Sequence, residues 1–335
     1  MGMNGAGPTK ASRDRGWLRQ EGMGLMRALG LRAACLGGVM LFGASCLAQV
    51  GAVRVLNLQK LSPEEARNIE SSARRGNPRS QAILGIMYSD GLGKPQDESE
   101  GFRWLRKAAG KKDDVAADRL GVAYQQGLGV EKNEAEARVW YRRSAHDGNL
   151  HAQYSLGAMY FNGQGGTQDL SKAAKWFQIA AQQGDAMSQE ILGRMYQNGK
   201  GVVRDPKQAL YWFQRSAEQG YSAAELSLAT LYLGGQGVGR NPKLAVELLQ
   251  RVAEEGVLGA QYTLGLVYWR GEVIPRDPMR AWMWLKIAAM NGSYDAPQLL
   301  NKISKAMDEG QRMEASKATD EWLQEHAQAV NVALK

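Results

Sequence analysis

The sequence predicts an all-α fold, an α/α superhelical solenoid built from helix-turn-helix repeats. Three observations lead to this fold class. A five-residue motif, Leu-Gly-x-x-Tyr, recurs six times at intervals of 36 residues, with Ala229 replacing Gly in the fifth copy. Glycine pairs, and then an Asp or Asn, follow the copies at constant distances, as turns and helix starts of a repeated hairpin would. The repeated region has no alternation of apolar and polar residues typical of a β-strand.

Composition and cysteine usage exclude several functional classes. The chain has 335 residues, with 42 Lys and Arg, 34 Asp and Glu, and a formal net charge of +8. The first 48 residues hold six of the basic and two of the acidic residues, so the remainder carries only +4. This weak surplus does not indicate nucleic-acid binding. Cys35 and Cys46 lie in the same N-terminal segment, so the remainder has no disulfide, thiolate metal site or cysteine nucleophile.

Residues 1–48 are predicted to be an N-terminal extension and signal peptide. Arg27 and Arg32 precede an uncharged run of fifteen residues, shorter than the roughly 20 that a membrane-spanning helix needs. Small residues at its end favour cleavage after Ala48 and a periplasmic or secreted protein that contacts membrane only through the signal segment. The alternatives are anchoring by an uncleaved signal or lipidation at Cys46, although the usual Leu three residues before that cysteine is missing.

Residues 49–76 are predicted to form an N-terminal capping helix. Ser62, followed by Pro63 and Glu65, has the pattern of a capped helix start, and Gly76 marks the end. A helix at this place would cover the apolar edge of the first repeat, because the terminal units of a solenoid keep the stack soluble.

Residues 77–292 are predicted to hold six 36-residue repeats, each beginning with a helix. The Leu and Tyr of the motif are four residues apart, hence on one helix face, and the Gly between them lets another helix approach closely. The Gly-x-Gly pair predicts the end of this helix, because glycine adopts the left-handed conformation easily. The core positions predicted on first helices are Leu84, Tyr88, Leu120, Tyr124, Leu156, Tyr160, Leu192, Tyr196, Tyr232, Leu264 and Tyr268.

The second helix of each repeat is predicted to start at a recurring Asp or Asn, which Pro follows in three copies, as at an N-cap and first helical position. One hairpin cannot bury its large apolar residues alone, so stacking of neighbouring repeats is expected to bury them. These recurring residues are therefore interpreted as core rather than catalytic. The core positions predicted on second helices are Trp140, Trp176, Trp212 and Trp284.

Residues 293–335 are predicted to form a degenerate half-repeat and a C-terminal capping helix. Leu300 falls at the next 36-residue interval, but Asn301 and Ser304 take the places of Gly and Tyr. The charged stretch 307–328, which contains Trp322, predicts a closing helix with a polar face.

The repeated unit resembles the Sel1-like repeat, a relative of the tetratricopeptide repeat. The pattern Ala-x-x-x-Leu-Gly-x-x-Tyr-x-x-Gly-x-Gly-Val-x-x-Asp carries the resemblance, which is nearly complete in residues 149–184 and 185–220. The resemblance implies a right-handed superhelix that acts as a protein-interaction adaptor in bacterial envelope, secretion or host-contact systems. Leu248, Val273 and the lack of the cysteine pairs found in one secreted branch depart from the pattern, and they argue against that branch's activity on cell-wall-like ligands.

Positions that differ between the copies are expected to hold the binding specificity, since the recurring positions form the core. One face of the first helices carries large or charged residues that the core does not require, and related solenoids line their concave surface with this helix. Aromatic and Arg side chains dominate many protein interfaces. The predicted partner-binding residues are Tyr154, Phe161, Glu190, Arg194, Tyr262 and Trp269. Alternatively, some of these side chains only pack against neighbouring first helices.

No catalytic, cofactor-binding or metal-binding residues are predicted. His146 and His151 flank a turn without an evident third metal ligand, so both are interpreted as solvated histidines at helix ends. The run 163–166 superficially resembles a phosphate loop, but no strand precedes it and no Lys-Ser/Thr follows. The sequence therefore predicts a non-enzymatic scaffold that binds a protein or an extended peptide. The alternatives are a non-catalytic factor that binds cell wall or polysaccharide, and a cell-wall hydrolase.

Overall fold

The computed structural model describes residues 61–235 and 237–333, with side chains up to residue 326. These residues form fifteen α-helices and no β-strand, so the all-α solenoid predicted from the sequence is confirmed. The predicted signal peptide, its cleavage after Ala48 and its lipidation alternative at Cys46 lie outside the described residues.

Most of the helices are 13 residues long. Their bounds are α1 Pro63–Arg74, α2 Pro78–Asp90, α3 Glu98–Gly110, α4 Asp114–Gln126, α5 Glu134–His146, α6 Leu150–Asn162, α7 Leu170–Gln182, α8 Ala186–Asn198, α9 Pro206–Ala217, α10 Ser222–Gly234, α11 Pro242–Glu254, α12 Leu258–Arg270, α13 Pro278–Met290, α14 Ala296–Ala306 and α15 Glu309–Ala333.

Contacts divide the described chain into two compact units. The first unit extends to residue 228 and includes residues 237–238. In it, each first helix packs on the second helix of its own repeat, as α6 does on α7, and on the second helix of the preceding repeat, α5. The second unit comprises residues 229–235 and 239–333. There, α12 packs on α11 and α13, and α13 also contacts α14 and α15.

The predicted helix ends are confirmed. First helices end at a left-handed glycine, for example Gly163 with φ 73° at the end of α6, whose N–H donates to the Met159 carbonyl. Second helices begin at the predicted Asp or Asn, as at Asp169, whose carboxylate accepts from the Lys172 N–H at 2.9 Å. Such caps satisfy the backbone groups that a helix leaves unpaired at its ends. Val273, which replaces the second glycine of the sixth turn, has no positive φ.

The Leu of the repeated motif is buried in every copy. The recurring Trp of the second helix, by contrast, is not the residue that packs most deeply against the first helix. Trp140 and Trp176 are half-buried, whereas Trp212 and Trp284 are buried. The residue directly after the Trp position is at most 2% exposed. These six residues are Leu105, Tyr141, Phe177, Phe213, Leu249 and Leu285.

The motif glycine explains why this neighbouring position is buried so deeply. A Cβ on Gly157 would lie 3.0 Å from the ring of Phe177, and one on Gly193 would lie 2.7 Å from the ring of Phe213. Real Cβ atoms hardly ever come so close, so the absence of a side chain on the first helix creates the space for the ring on the second.

A ladder of buried glutamines connects consecutive repeats. In the first unit, the Gln153 and Gln189 amides donate to the carbonyls of Ala145 and Ala181 in the preceding second helices, at 3.3 and 2.9 Å. Gln183 and Gln219 donate in turn to their side-chain oxygens, both at 2.7 Å. In the second unit, the Gln261 amide donates to the Ala253 carbonyl at 3.1 Å, and Asn291 donates to Gln261 Oε1 at 2.9 Å.

Helices outside the six repeats lie at both ends. Helix α1 begins with the expected capping box, in which Ser62 and Glu65 bond each other's backbone N–H. Helix α15 places Trp322 against Trp284 of the last repeat, with edge-to-face rings whose centroids are 5.5 Å apart.

Candidate partner-binding face

Four predicted partner-binding residues lie on two consecutive first helices of the first unit. On α6, Tyr154 and Phe161 are both half-buried, and the Tyr154 ring tilts against Phe177 with centroids 5.9 Å apart. On α8, Glu190 is only 5% exposed, whereas the side chain of Arg194 is 63% exposed. This face therefore combines aromatic surface with one deeply placed carboxylate and one cation in solvent.

The carboxylate of Glu190 has few compensating contacts for its depth. Ser227 Oγ donates to Glu190 Oε1 at 3.1 Å, and Arg194 Nε lies 3.7 Å from the same oxygen. Burial disfavours the ionised form and raises the pKa of Glu190, although Arg194 and Ser227 act in the opposite direction.

Two phenols lie close enough to this carboxylate to feel its charge. Burial, together with the nearby Tyr221, Asp185 and Glu190, raises the pKa of Tyr154 to about 12. Burial and the same two carboxylates also raise the pKa of Tyr221. Both hydroxyls are therefore neutral at physiological pH and can donate or accept hydrogen bonds. We call Tyr154, Asp185, Glu190, Arg194, Tyr221 and Ser227 the Glu190 cluster.

Sequence reasoning missed Tyr221, although the repeat spacing marks it. The equivalent position in the other copies holds the N-cap of the first helix, and at Asp185 the carboxylate accepts from the Ser188 N–H at 2.7 Å. A tyrosine at this position departs from the capping residues Asn77, Asp113, Asn149 and Asp185. Val257 of the sixth copy departs from these residues too and makes no side-chain bond at the helix start, so the departure singles out Tyr221 without assigning it a role.

The remaining two predicted residues lie on α12 in the second unit. Tyr262 and Trp269 are both half-buried. The Arg276 guanidinium lies over the Trp269 ring, with its central carbon 3.9 Å from the ring centroid. Trp269 therefore presents a face that is partly covered by a cation from the following turn.

The structure also joins two residues of the first unit that the sequence did not pair. His151 Nδ1 on α6 lies 2.7 Å from Asp118 Oδ1 on α4, and Ser155 Oγ lies 3.4 Å from His151 Nε2. Burial lowers the pKa of His151, but the hydrogen bond and charge of Asp118 outweigh it, so the pKa is raised overall. The interpretation of His151 as a solvated helix-end residue is therefore wrong. His146, by contrast, is exposed.

The part of the chain that the structure describes contains no candidate metal site and no candidate membrane-spanning helix. No three His, Cys, Asp or Glu side chains there are grouped so that they could hold a metal ion. Among the same residues, no helix has both the length and the apolar character that crossing a bilayer requires.

Comparison with protein families identifies Sel1 repeats in six consecutive segments of the chain. They cover residues 78–113, 114–149, 150–185, 186–221, 222–257 and 259–293, which together make up more than half of the sequence. None of the curated proteins is similar enough to this sequence to count as a match.

Two solved structures illustrate the similarity. A Sel1 repeat protein from Oxalobacter formigenes is 29% identical, with a TM-score of 0.57 over 68% of this chain and 88% of that chain. A protective antigen of uropathogenic Escherichia coli strains, described as displaying an SLR fold, is 24% identical. Its TM-score is 0.42, over 81% of this chain and 82% of that chain. With six tandem matches along the chain and helix hairpins at each of them, the protein belongs to the Sel1 repeat family.

Proposed function

We propose that this protein is a non-enzymatic scaffold that binds an extended segment of a partner protein on the face formed by its first helices. Sel1 repeat proteins typically mediate protein–protein interactions and are generally non-catalytic. The observation that carries the proposal is the Glu190 cluster, where a carboxylate and two phenols are partly or largely buried at positions that differ between the repeats. Differences between repeats at such depth favour recognition over stacking, since stacking uses the recurring positions.

We place this function in the bacterial envelope or outside the cell. The uncharged run after Arg27 and Arg32, followed by small residues at Ala48, supports export. Expression of the full chain in a Gram-negative host, followed by fractionation and N-terminal sequencing, tests this location. We expect a periplasmic or secreted protein that begins at Gln49. A chain that stays in the cytoplasm with its N-terminus intact would contradict the proposed location without affecting the proposed binding.

Crosslinking and capture from envelope extracts test the binding function. Phe161→Ala and Trp269→Ala, made separately, each remove a half-buried ring from a first helix, and we expect either to reduce capture of partner proteins at unchanged helicity. Tyr211→Ala is the matched control, because Tyr211 is a 45% exposed ring on a second helix, α9.

Binding of the native chain and of each variant is measured with two materials, envelope proteins and purified cell wall. Capture of proteins that both first-helix variants weaken, and that Tyr211→Ala leaves unchanged, supports the scaffold. Capture that responds to none of the variants would contradict binding on the first helices. Retention on purified cell wall without protein capture would favour the polysaccharide-binding alternative instead.

A further inference from the structure

We propose that the partner segment bound at the Glu190 cluster presents a basic side chain, Lys or Arg, to the Glu190 carboxylate, near Tyr154 and Tyr221. This inference rests on the proposed function, because it names the chemistry of the segment that the first-helix face binds.

The first step is the cost of burying Glu190. A carboxylate removed from water is destabilising unless hydrogen bonds and an opposite charge compensate it closely. Glu190 is 5% exposed, yet it receives one hydroxyl hydrogen bond, from Ser227, and the charge of Arg194. Its raised pKa is the electrostatic sign of this incomplete compensation. Residues that break the rules of a stable core in this way are expected at functional sites.

The second step is the weakness of the contact with Arg194. The Arg194 Nε atom is 3.7 Å from Glu190 Oε1, too far for a hydrogen bond, and the side chain is 63% exposed. The two groups therefore attract each other by charge alone, which is weaker than an ion pair that is also hydrogen-bonded. Arg194 can therefore give way to a cation that reaches the carboxylate more closely, because the incoming charge replaces its own.

The third step concerns the side chains near the Glu190 carboxylate. Tyr154 and Tyr221 lie close enough to Glu190 for its charge to raise both of their pKa values, and the charge of Asp185 acts on both phenols in the same direction. Neutral phenol oxygens accept hydrogen bonds from an ammonium or guanidinium, and aromatic faces attract cations. A carboxylate with two neutral phenols nearby fits a basic side chain and disfavours an acidic one.

Selection of random peptides displayed on phage, using the purified full chain as bait, tests this inference. The baits are the native chain, Glu190→Gln and the control Glu136→Gln, which changes an exposed carboxylate on the second helix α5. We expect Lys and Arg to be enriched several-fold at one peptide position with the native chain and with Glu136→Gln. With Glu190→Gln, this preference should disappear.

Synthetic copies of the selected peptides give the second measurement. Replacing the enriched Lys by norleucine, or Arg by citrulline, should weaken binding to the native chain at least about tenfold, as expected for loss of one partner of a buried charge pair. Arg194→Gln should tighten binding of the basic peptide, because it removes the cation that competes for Glu190. Weaker binding to Arg194→Gln would instead mean that Arg194 itself contacts the partner, and would contradict the displacement.

The possible failures are distinguishable. If no peptide is enriched by any bait, the proposed peptide-binding function is contradicted along with this inference. If peptides are enriched without a basic position, or if Glu190→Gln keeps the basic preference, only the cation at Glu190 is contradicted. A stability measurement separates folding from binding: Glu190→Gln should raise the melting temperature at neutral pH. The raised pKa of Glu190 makes its ionisation unfavourable in the folded state, so this advantage should fade as the pH falls toward 4.5.

Discussion

At the scale of single residues, two independent constraints require the second glycine of three turns, Gly129, Gly165 and Gly201. Gly165 has φ 69°, and a Cβ there would collide with the backbone carbonyl oxygen of Glu134 at the start of the preceding second helix. Gly129 and Gly201 approach Glu98 and Leu170 in the same way. Any side chain at these turns would therefore disturb both the local backbone and the contact between repeats.

We predict that Gly165→Ala destabilises the first unit by roughly 2 kcal/mol or more, since the left-handed backbone and the collision both oppose a Cβ. The measurement is thermal unfolding followed by circular dichroism. Gly110→Ala is the control, because Gly110 has no positive φ and nothing lies within 4 Å of its Cβ position. This control should lose no stability. Equal melting temperatures for the two variants would contradict the predicted collision.

The pair formed by Asp118 and His151 gives a pH dependence with a definite sign. A raised folded-state pKa of His151 contributes stability that is complete below its ordinary value of 6.5 and is lost as the pH rises through the folded value. We therefore expect His151→Asn to lower the melting temperature more at pH about 5.5 than at pH about 8.5. A parallel loss at both pH values, or the same profile in the control His146→Asn, would show that the ion pair does not contribute.

At the scale of helices, the glutamine ladder explains how consecutive hairpins keep their register. Gln189 of α8 is 1% exposed and links α7 to the turn after α9 through its bonds to the Ala181 carbonyl and the Gln219 amide. Gln81 occupies the equivalent place in the first repeat, where its amide donates to the Ala73 carbonyl and its Oε1 is buried without a partner. The side-chain oxygen thus accepts a hydrogen bond at Gln189 but not at Gln81.

We predict that Gln189→Ala costs about 1–3 kcal/mol, because it removes both hydrogen bonds of a buried side-chain amide, one to the Ala181 carbonyl and one from Gln219. Gln81→Ala should cost less, since the same change also removes an unpaired buried oxygen. Urea unfolding of both variants checks the order. If Gln81→Ala proves the more damaging substitution, the ladder is not what holds adjacent helices.

The helix boundaries themselves could be predicted from the sequence, because each depends on side chains a few residues apart. Asp169 caps α7 and Gly163 ends α6 through contacts within one turn, and both were expected. The sequence did not reveal which of the neighbouring residues Trp176 and Phe177 is the more deeply buried. Only the packing of α6 on α7, with Gly157 facing the ring, shows that Phe177 is the more deeply buried.

At the scale of the whole molecule, the terminal helices of an open stack of repeats must present a polar face to solvent. In the second unit, Trp284 is 4% exposed and packs against Trp322 of α15, and His326 stacks on Trp322 with ring centroids 3.8 Å apart. The closing helix is thus held by an aromatic contact rather than by continuing the repeat.

We predict that Trp322→Ala lowers the stability of the second unit by about 2 kcal/mol, below the 3–5 kcal/mol of a fully buried aromatic, because Trp322 is half-buried. The newly exposed Trp284 should also promote self-association, which light scattering after gel filtration detects. Met313→Ala is the control on the same helix, since Met313 is 65% exposed. A Trp322→Ala variant as stable and monomeric as this control would rule out the capping role.

The fold class, the 36-residue period, the ends of the first helices and the starts of the second helices could be predicted from the sequence alone, because local turn chemistry repeats within each copy. Only the packing of the helices shows which second-helix residue fills the core, how the glutamines link repeats, and how deeply the predicted partner-binding residues are buried. Glu190 meets Ser227, and Asp118 meets His151, across distances in sequence of 37 and 33 residues. Such contacts depend on how adjacent hairpins stack, and no pattern within one repeat encodes the distance between a carboxylate and the partner that the next repeat supplies.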